Sequence, residues 1–114
     1  MYTYEAQVTR VVDGDTIDAL VDLGFDIHKS IRIRLAGMNA PESRTRDLEE
    51  KKLGLAAKAR LIEILQSNEN KFVLESQGVG KYGRCLGIIK VNNKDVNQQL
   101  INEGHATEYF GGKR

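Results

Sequence analysis

Cysteine, proline and tryptophan are nearly missing from this chain of 114 residues, which holds one cysteine, one proline and no tryptophan. A lone Cys85 excludes an intramolecular disulfide, so packing must hold the fold, and a reducing compartment suits it best. The length gives room for one core and not for two. Neither charge sign dominates. With 17 basic and 16 acidic side chains the formal net charge is +1, so attraction for a polyanion has to be local. Long apolar runs are absent as well: nothing approaches the roughly 20 apolar residues of a membrane-spanning helix, and Met1-Tyr2-Thr3-Tyr4-Glu5 lacks the basic and apolar regions of a secretory leader. The expectation is a monomeric cytoplasmic or other intracellular protein, with one domain over residues 1–110 and a flexible tail at 111–114.

What is present describes a folded chain, with 40% hydrophobic and 29% charged residues and no repeats. Apolar and polar residues alternate over Tyr4–Val12 and Thr16–Leu23, two predicted strands joined at Asp13-Gly14-Asp15. Ile31-Arg32-Ile33-Arg34-Leu35 is a third, with Ile31, Ile33 and Leu35 on one face and both arginines on the other. Around Pro41 the missing N–H and the restricted preceding residue predict a loop. Asp47 followed by Glu50 reads as a helix start, and the spacing predicts a helix over Leu48–Gln66 with Leu55, Ala59, Ile62 and Leu65 on its apolar face. Lys71–Ser76 and Cys85–Val91 read as further strands, Asn92-Asn93 as a turn, and Asp95 as the cap of a short helix ending near Gly104. The order implies a mainly β, α+β fold: a five-stranded Greek-key barrel of oligonucleotide/oligosaccharide-binding type, with the long helix between strands three and four and a short C-terminal helix.

Three polar groupings break the apolar pattern: Asp13-Gly14-Asp15-Thr16, Arg34 with Asn39-Ala40-Pro41-Glu42, and Lys81-Tyr82-Gly83-Arg84. Phosphodiester hydrolysis needs a positioned water, a base beside it and fixed positive charge for the crowded oxygens of the transition state. Carboxylates able to hold a hard cation, one further carboxylate and two arginines meet that need, and arginine's planar fork suits phosphate better than lysine does.

These segments, Val12-Asp13-Gly14-Asp15-Thr16, Arg34-Leu35-Ala36-Gly37-Met38-Asn39-Ala40-Pro41-Glu42-Ser43 and Lys81-Tyr82-Gly83-Arg84, resemble the three motifs of the staphylococcal nuclease (thermonuclease) family, over roughly Val8 to Ala106. The resemblance implies calcium-dependent endonuclease cleavage of DNA and RNA, with little sequence specificity, to products ending in 3′-phosphate. By motif, Asp15 would ligate the metal, Ala40 would offer its carbonyl, Glu42 would orient or deprotonate water, and Arg34 and Arg84 would clamp the phosphate. Lys81 and Tyr82 would hold substrate, and Asp13 would stand in the metal's outer shell. Where the family's usual second metal carboxylate stands, this chain has Asn39, an amide without charge, so weaker metal binding is expected.

Each motif has a plainer reading. Asp-Gly is common hairpin chemistry, and Arg32 reads as the wet face of a strand, whereas Arg34 gains a role from its spacing to Pro41-Glu42. The charges around the long helix alternate in sign, as on a solvated face. His28 and His105 have no partners at metal-ligand spacing, and Cys85 reads as a small core residue. The alternative to an enzyme is a nucleic-acid- or protein-binding barrel that has lost turnover, like the degenerate repeats of Tudor-type relatives of this family. Tyr109 and Phe110 would be available for stacking on a base.

Overall fold

A computed structural model describes residues 2–79 and 85–109. Alternation builds a meander of β1 (Tyr2–Asp13), β2 (Thr16–Asp22) and β3 (His28–Leu35), antiparallel throughout, with Asp13 opposite Thr16 and Thr16 opposite Arg34. A two-residue strand β4 (Met38–Asn39) follows, then helix α1 (Leu48–Gln66). Next come β5 (Lys71–Val79), β6 (Cys85–Val91), β7 (Lys94–Asp95), helix α2 (Val96–Asn102) and a short β8 (Thr107–Glu108). The sheet runs β3-β2-β1-β5-β6-β7, and a parallel pairing of β3 with β6, Ile33 beside Cys85 through Leu35 beside Gly87, closes five strands into a barrel.

Local chemistry accounts for most boundaries. The Asp47 carboxylate accepts the N–H groups of Glu49 and Glu50 and so starts α1, and Asp95 accepts the N–H of Gln98 and starts α2. Asn92 and Asn93 both adopt positive φ, 53° and 65°, the geometry that lets a two-residue turn follow the twist of β6 and β7. The barrel is filled by Ile17, Ile33, Leu35, Leu74 and Ile89, and α1 plugs it with Leu61 and Leu65. Cys85 is buried in that core, its Sγ 3.6 Å from the Ser76 hydroxyl.

Two expectations need correction, and one burial went unforeseen. The apolar face of α1 is Gly54, Ala57, Leu61, Ile64 and Leu65; Leu55 is 47% exposed, Ala59 faces solvent and Ile62 is half-buried. The helix lies directly on backbone there, so small residues, not the bulkiest, define the contact. The stretch after Gly37 is not all loop, since β4 pairs with β8 through Met38 beside Glu108 and Asn39 beside Thr107. Arg34, on the face opposite Ile33 and Leu35, is nonetheless only 8% exposed, because this pair of short strands and Tyr109 cover the barrel end. The expected tail at 111–114 and Phe110 lie outside the described residues. Among the described residues no helix is long and apolar enough to cross a membrane.

Candidate active site

The β1–β2 turn, the end of β3 and the segment from Asn39 to Ser43 meet at one end of the barrel. Asp15, 2% exposed, is fixed by its position just before β2, where its carbonyl accepts the Leu35 N–H at 2.8 Å. Its carboxylate is well supplied with donors. The Thr16 hydroxyl donates to Oδ1 at 3.0 Å, the Ala40 N–H donates to Oδ2 at 3.1 Å, and Arg34 Nη1 stands 2.8 Å from Oδ2. Nη1 makes no well-angled hydrogen bond, so its tie to Asp15 is a charge contact, in a setting where an ion pair is screened little by salt.

The other arm of the Arg34 fork, Nη2, donates to the Met38 carbonyl at 3.3 Å and to the Asn39 side-chain oxygen. Tyr109 covers the guanidinium from outside, its ring centre 5.8 Å from Cζ, and its own N–H is anchored on the Gly37 carbonyl at 2.9 Å. Breaking such a buried pair by removing one partner leaves an uncompensated charge, at a cost of about 3–5 kcal/mol. The pair therefore holds its position firmly. Arg32, one strand step away, is different: half-exposed, it forks onto Asp18 at 2.8 and 3.1 Å, and it holds the Asp18 carboxyl below the usual carboxylate range.

Glu42 is exposed, and among the described residues its carboxylate has no hydrogen-bond partner. With Asn39, Ala40, Leu53, His105 and Thr107 it lines an open groove of about 720 Å³ that Asp47, Glu49 and Glu50 flank. Asp13, half-buried, turns its Oδ1 onto Ser43, accepting both the Ser43 N–H at 3.3 Å and the Ser43 hydroxyl. The structure thus brings Asp13, Asp15, Arg34, Asn39, Ala40 and Glu42 to one end of the barrel. Lys81, Tyr82 and Arg84 lie outside the described residues, although Cys85, next to Arg84 in the chain, sits beside Ile33 on the neighbouring strand.

Two groups that shape this site are given no role by the sequence motifs. Ser43, 4% exposed, is a polar residue whose burial nothing in its neighbours announces. Gly54 carries a signal that pattern reading passes over, since a glycine inside a helix is destabilising unless another backbone needs the room. It does here: a Cβ at Gly54 would lie 2.3 Å from the Glu42 carbonyl oxygen and 2.7 Å from the Ser43 nitrogen.

The donor set for a cation consists of hard oxygens: the Asp15 carboxylate, the Asn39 amide and the Ala40 carbonyl. That chemistry fits a calcium- or magnesium-like ion in kind, with a low charge count, because the single Asp15 charge is already shared with Arg34. Among the described residues no three His, Cys, Asp or Glu side chains gather into a group able to hold a metal.

A family model described as staphylococcal nuclease homologue matches residues 32–114. Among similar proteins, the "Micrococcal nuclease" of Shigella flexneri is 32% identical over 93% of this chain and 59% of its own length. "Protein ParB" of Escherichia coli is 31% identical over 94% of this chain and 59% of its own. "Endonuclease YhcR" of Bacillus subtilis (strain 168) is 33% identical over 94% of this chain but only 9% of its own. The chain thus spans less than two thirds of each of these curated relatives.

Proposed function

The chain belongs to the staphylococcal nuclease homologue family, and from that premise we propose that it is a metal-dependent endonuclease that hydrolyses phosphodiester bonds of DNA or RNA with little sequence specificity. One observation carries the reading: a buried Arg34 guanidinium, paired with Asp15 and Asn39, stands at the barrel end whose rim carries Glu42, exposed and without a hydrogen-bond partner among the described residues. The names "Micrococcal nuclease" and "Endonuclease YhcR" among its relatives support the same chemistry.

In this reading Arg34 and Arg84 bind the scissile phosphate and take up the charge that builds on its oxygens, with Lys81 and Tyr82 holding the flanking substrate. Glu42, open to the groove, positions the attacking water and accepts its proton. Asp15, the Asn39 amide and the Ala40 carbonyl would hold the divalent ion, calcium by family resemblance, and that ion when bound supplies positive charge to the phosphate. Products end in 3′-phosphate.

One observation favours a second reading, a binding module without turnover. The Asn39 oxygen is occupied by Arg34, where a carboxylate would carry the charge that attracts a cation. Cleavage of a single-stranded DNA oligonucleotide against calcium concentration separates the two, with Glu42→Gln and Asn39→Asp alongside the parent. The nuclease predicts calcium-stimulated cleavage that Glu42→Gln abolishes and that Asn39→Asp shifts to lower calcium. Oligonucleotide binding with no cleavage up to millimolar calcium would replace it with the binding module.

A further inference from the structure

An exposed carboxylate with no partner among the described residues is aimed by its backbone, and the backbone at Glu42 is held from two directions. On one side the Asp13-Gly14-Asp15 turn grips the chain across Pro41-Glu42. Asp15 Oδ2 accepts the Ala40 N–H at 3.1 Å, and Asp13 Oδ1 accepts the N–H and the hydroxyl of Ser43. On the other side lies α1. A Cβ at Gly54 would meet the Glu42 oxygen at 2.3 Å and the Glu42 carbonyl carbon at 2.4 Å, both backbone atoms without freedom to turn away. One helical turn along, Ala57 supports the gripping turn itself: a Cβ on Gly14 would stand 2.8 Å from Ala57 Cβ and 3.0 Å from Ala40 Cβ.

Turn, Glu42 segment and helix are therefore stacked at backbone distance, with no side chain between them able to yield. Resting on the nuclease reading above, we propose that Asp13 and Gly54 are positioning residues for Glu42, Asp13 acting through Ser43 and Gly54 by seating the Glu42–Ser43 peptide on the helix. Asp13 then works as a hydrogen-bond acceptor on the chain that carries the base, and not through its charge as an outer-shell partner of a metal. The two roles separate in an isosteric variant. Asn in place of Asp13 keeps the Oδ1 acceptor and loses the charge, whereas Ala loses both.

The test measures kcat and KM for an oligonucleotide at saturating calcium, together with hydrogen exchange of the Ser43 amide, a readout that needs neither metal nor turnover. Asp13→Ala is expected to lower kcat about a hundredfold with KM within about twofold, the scale of a misplaced catalytic group. It should also speed exchange at Ser43, while Asp13→Asn stays within about threefold of the parent in kcat and protects Ser43 as the parent does. Adding Asp13→Ala to Glu42→Gln should cause no further loss, because the two act through one group. Gly54→Ala should reproduce the kcat-selective defect with α1 still formed by circular dichroism. If Asp13→Asn is as damaging as Asp13→Ala and raises the calcium requirement, Asp13 acts by charge and the proposal is overturned while the nuclease stands; additive losses with Glu42→Gln overturn it in the same way. A parent that binds oligonucleotide but never cleaves it overturns the nuclease reading and this proposal together, and the parent's own rate distinguishes that outcome from the others.

Discussion

Replacing Asn97 by alanine is expected to cost the barrel about 3–5 kcal/mol. The residue is 3% exposed at the start of α2, and its amide spans the joint between β3 and β6. Nδ2 donates to the Ala36 carbonyl at 2.9 Å and to the Gly87 carbonyl at 3.1 Å, while Oδ1 accepts the Ile89 N–H at 3.3 Å. Alanine removes all three bonds. The Gly87 carbonyl keeps the Ala36 N–H at 2.8 Å, but the Ala36 carbonyl and the Ile89 N–H lose this partner. One buried and one part-buried backbone group at about 1–3 kcal/mol each, plus a small cavity, give the stated figure, a large share of the 5–15 kcal/mol that holds a typical domain. Urea unfolding followed by circular dichroism would register it as a midpoint lowered by about 2 M, for a slope near 2 kcal/mol/M. Asn97→Asp should be worse at neutral pH, because it points a charged oxygen at two carbonyls, and the difference should shrink in acid as the carboxyl takes up a proton. An Asn97→Ala protein within about 0.5 kcal/mol of the parent would refute the reasoning, showing that water replaces the amide without loss.

Other outcomes follow from the same geometry. Arg34→Lys keeps the charge but cannot serve Asp15, Met38 and Asn39 together from a planar fork, so oligonucleotide cleavage should fall by about a hundredfold or more in steady-state assays. The Arg60 guanidinium holds the Glu103 carboxyl down to about 2, from an ordinary value of 4.5. A lowered pKa contributes stability above the unfolded value and loses it in acid, so the gap between parent and Glu103→Gln in thermal melts should be full near neutral pH and close between about pH 4.5 and 2. Because both side chains keep about 30% of their surface open to solvent, screening should hold that gap within about 1 kcal/mol. Asn93→Gly relieves a φ of 65° in the β6–β7 turn and should leave the melting temperature equal to the parent's or slightly higher; a clear drop would mean the Asn93 side chain holds the turn.

Local chemistry made much of this fold legible. The Asp47 cap and the spacing behind it bound α1 at Leu48 and Gln66, as the structure has it, because a cap acts within one turn of the residues that reveal it. The face of α1 was not legible in the same way. Hydrophobicity points to Leu55 and Ile62, but the neighbour is backbone, and fit against backbone selects Gly54 and Ala57. The burial of Arg34 was equally hidden, since alternation assigns it to the outer face and its cover comes from β8 and Tyr109, far along the chain. The motifs named Asp13, Asp15, Arg34, Asn39, Ala40 and Glu42, which the structure brings to one end of the barrel. The hold of Asp13 on Ser43 depends on two chain segments meeting in space, which no spacing in one sequence displays.

The parallel joint between β3 and β6 also sets the order in which this chain can assemble. Every other strand pair in the barrel core is antiparallel, and β1–β2, β2–β3 and β5–β6 each zip up from a neighbouring turn or loop. The β3–β6 joint has no such start, for it unites Ile33 with Cys85 across the whole of α1 and β5. Like the β1–β5 pairing it carries a loop-closure cost, and only three register pairs repay it, against six for β1–β5. With half as many register pairs to repay it, closure is expected to follow the β1–β5 pairing. Until it occurs, the end of β3 that carries Arg34 and the start of β6 at Cys85 are apart.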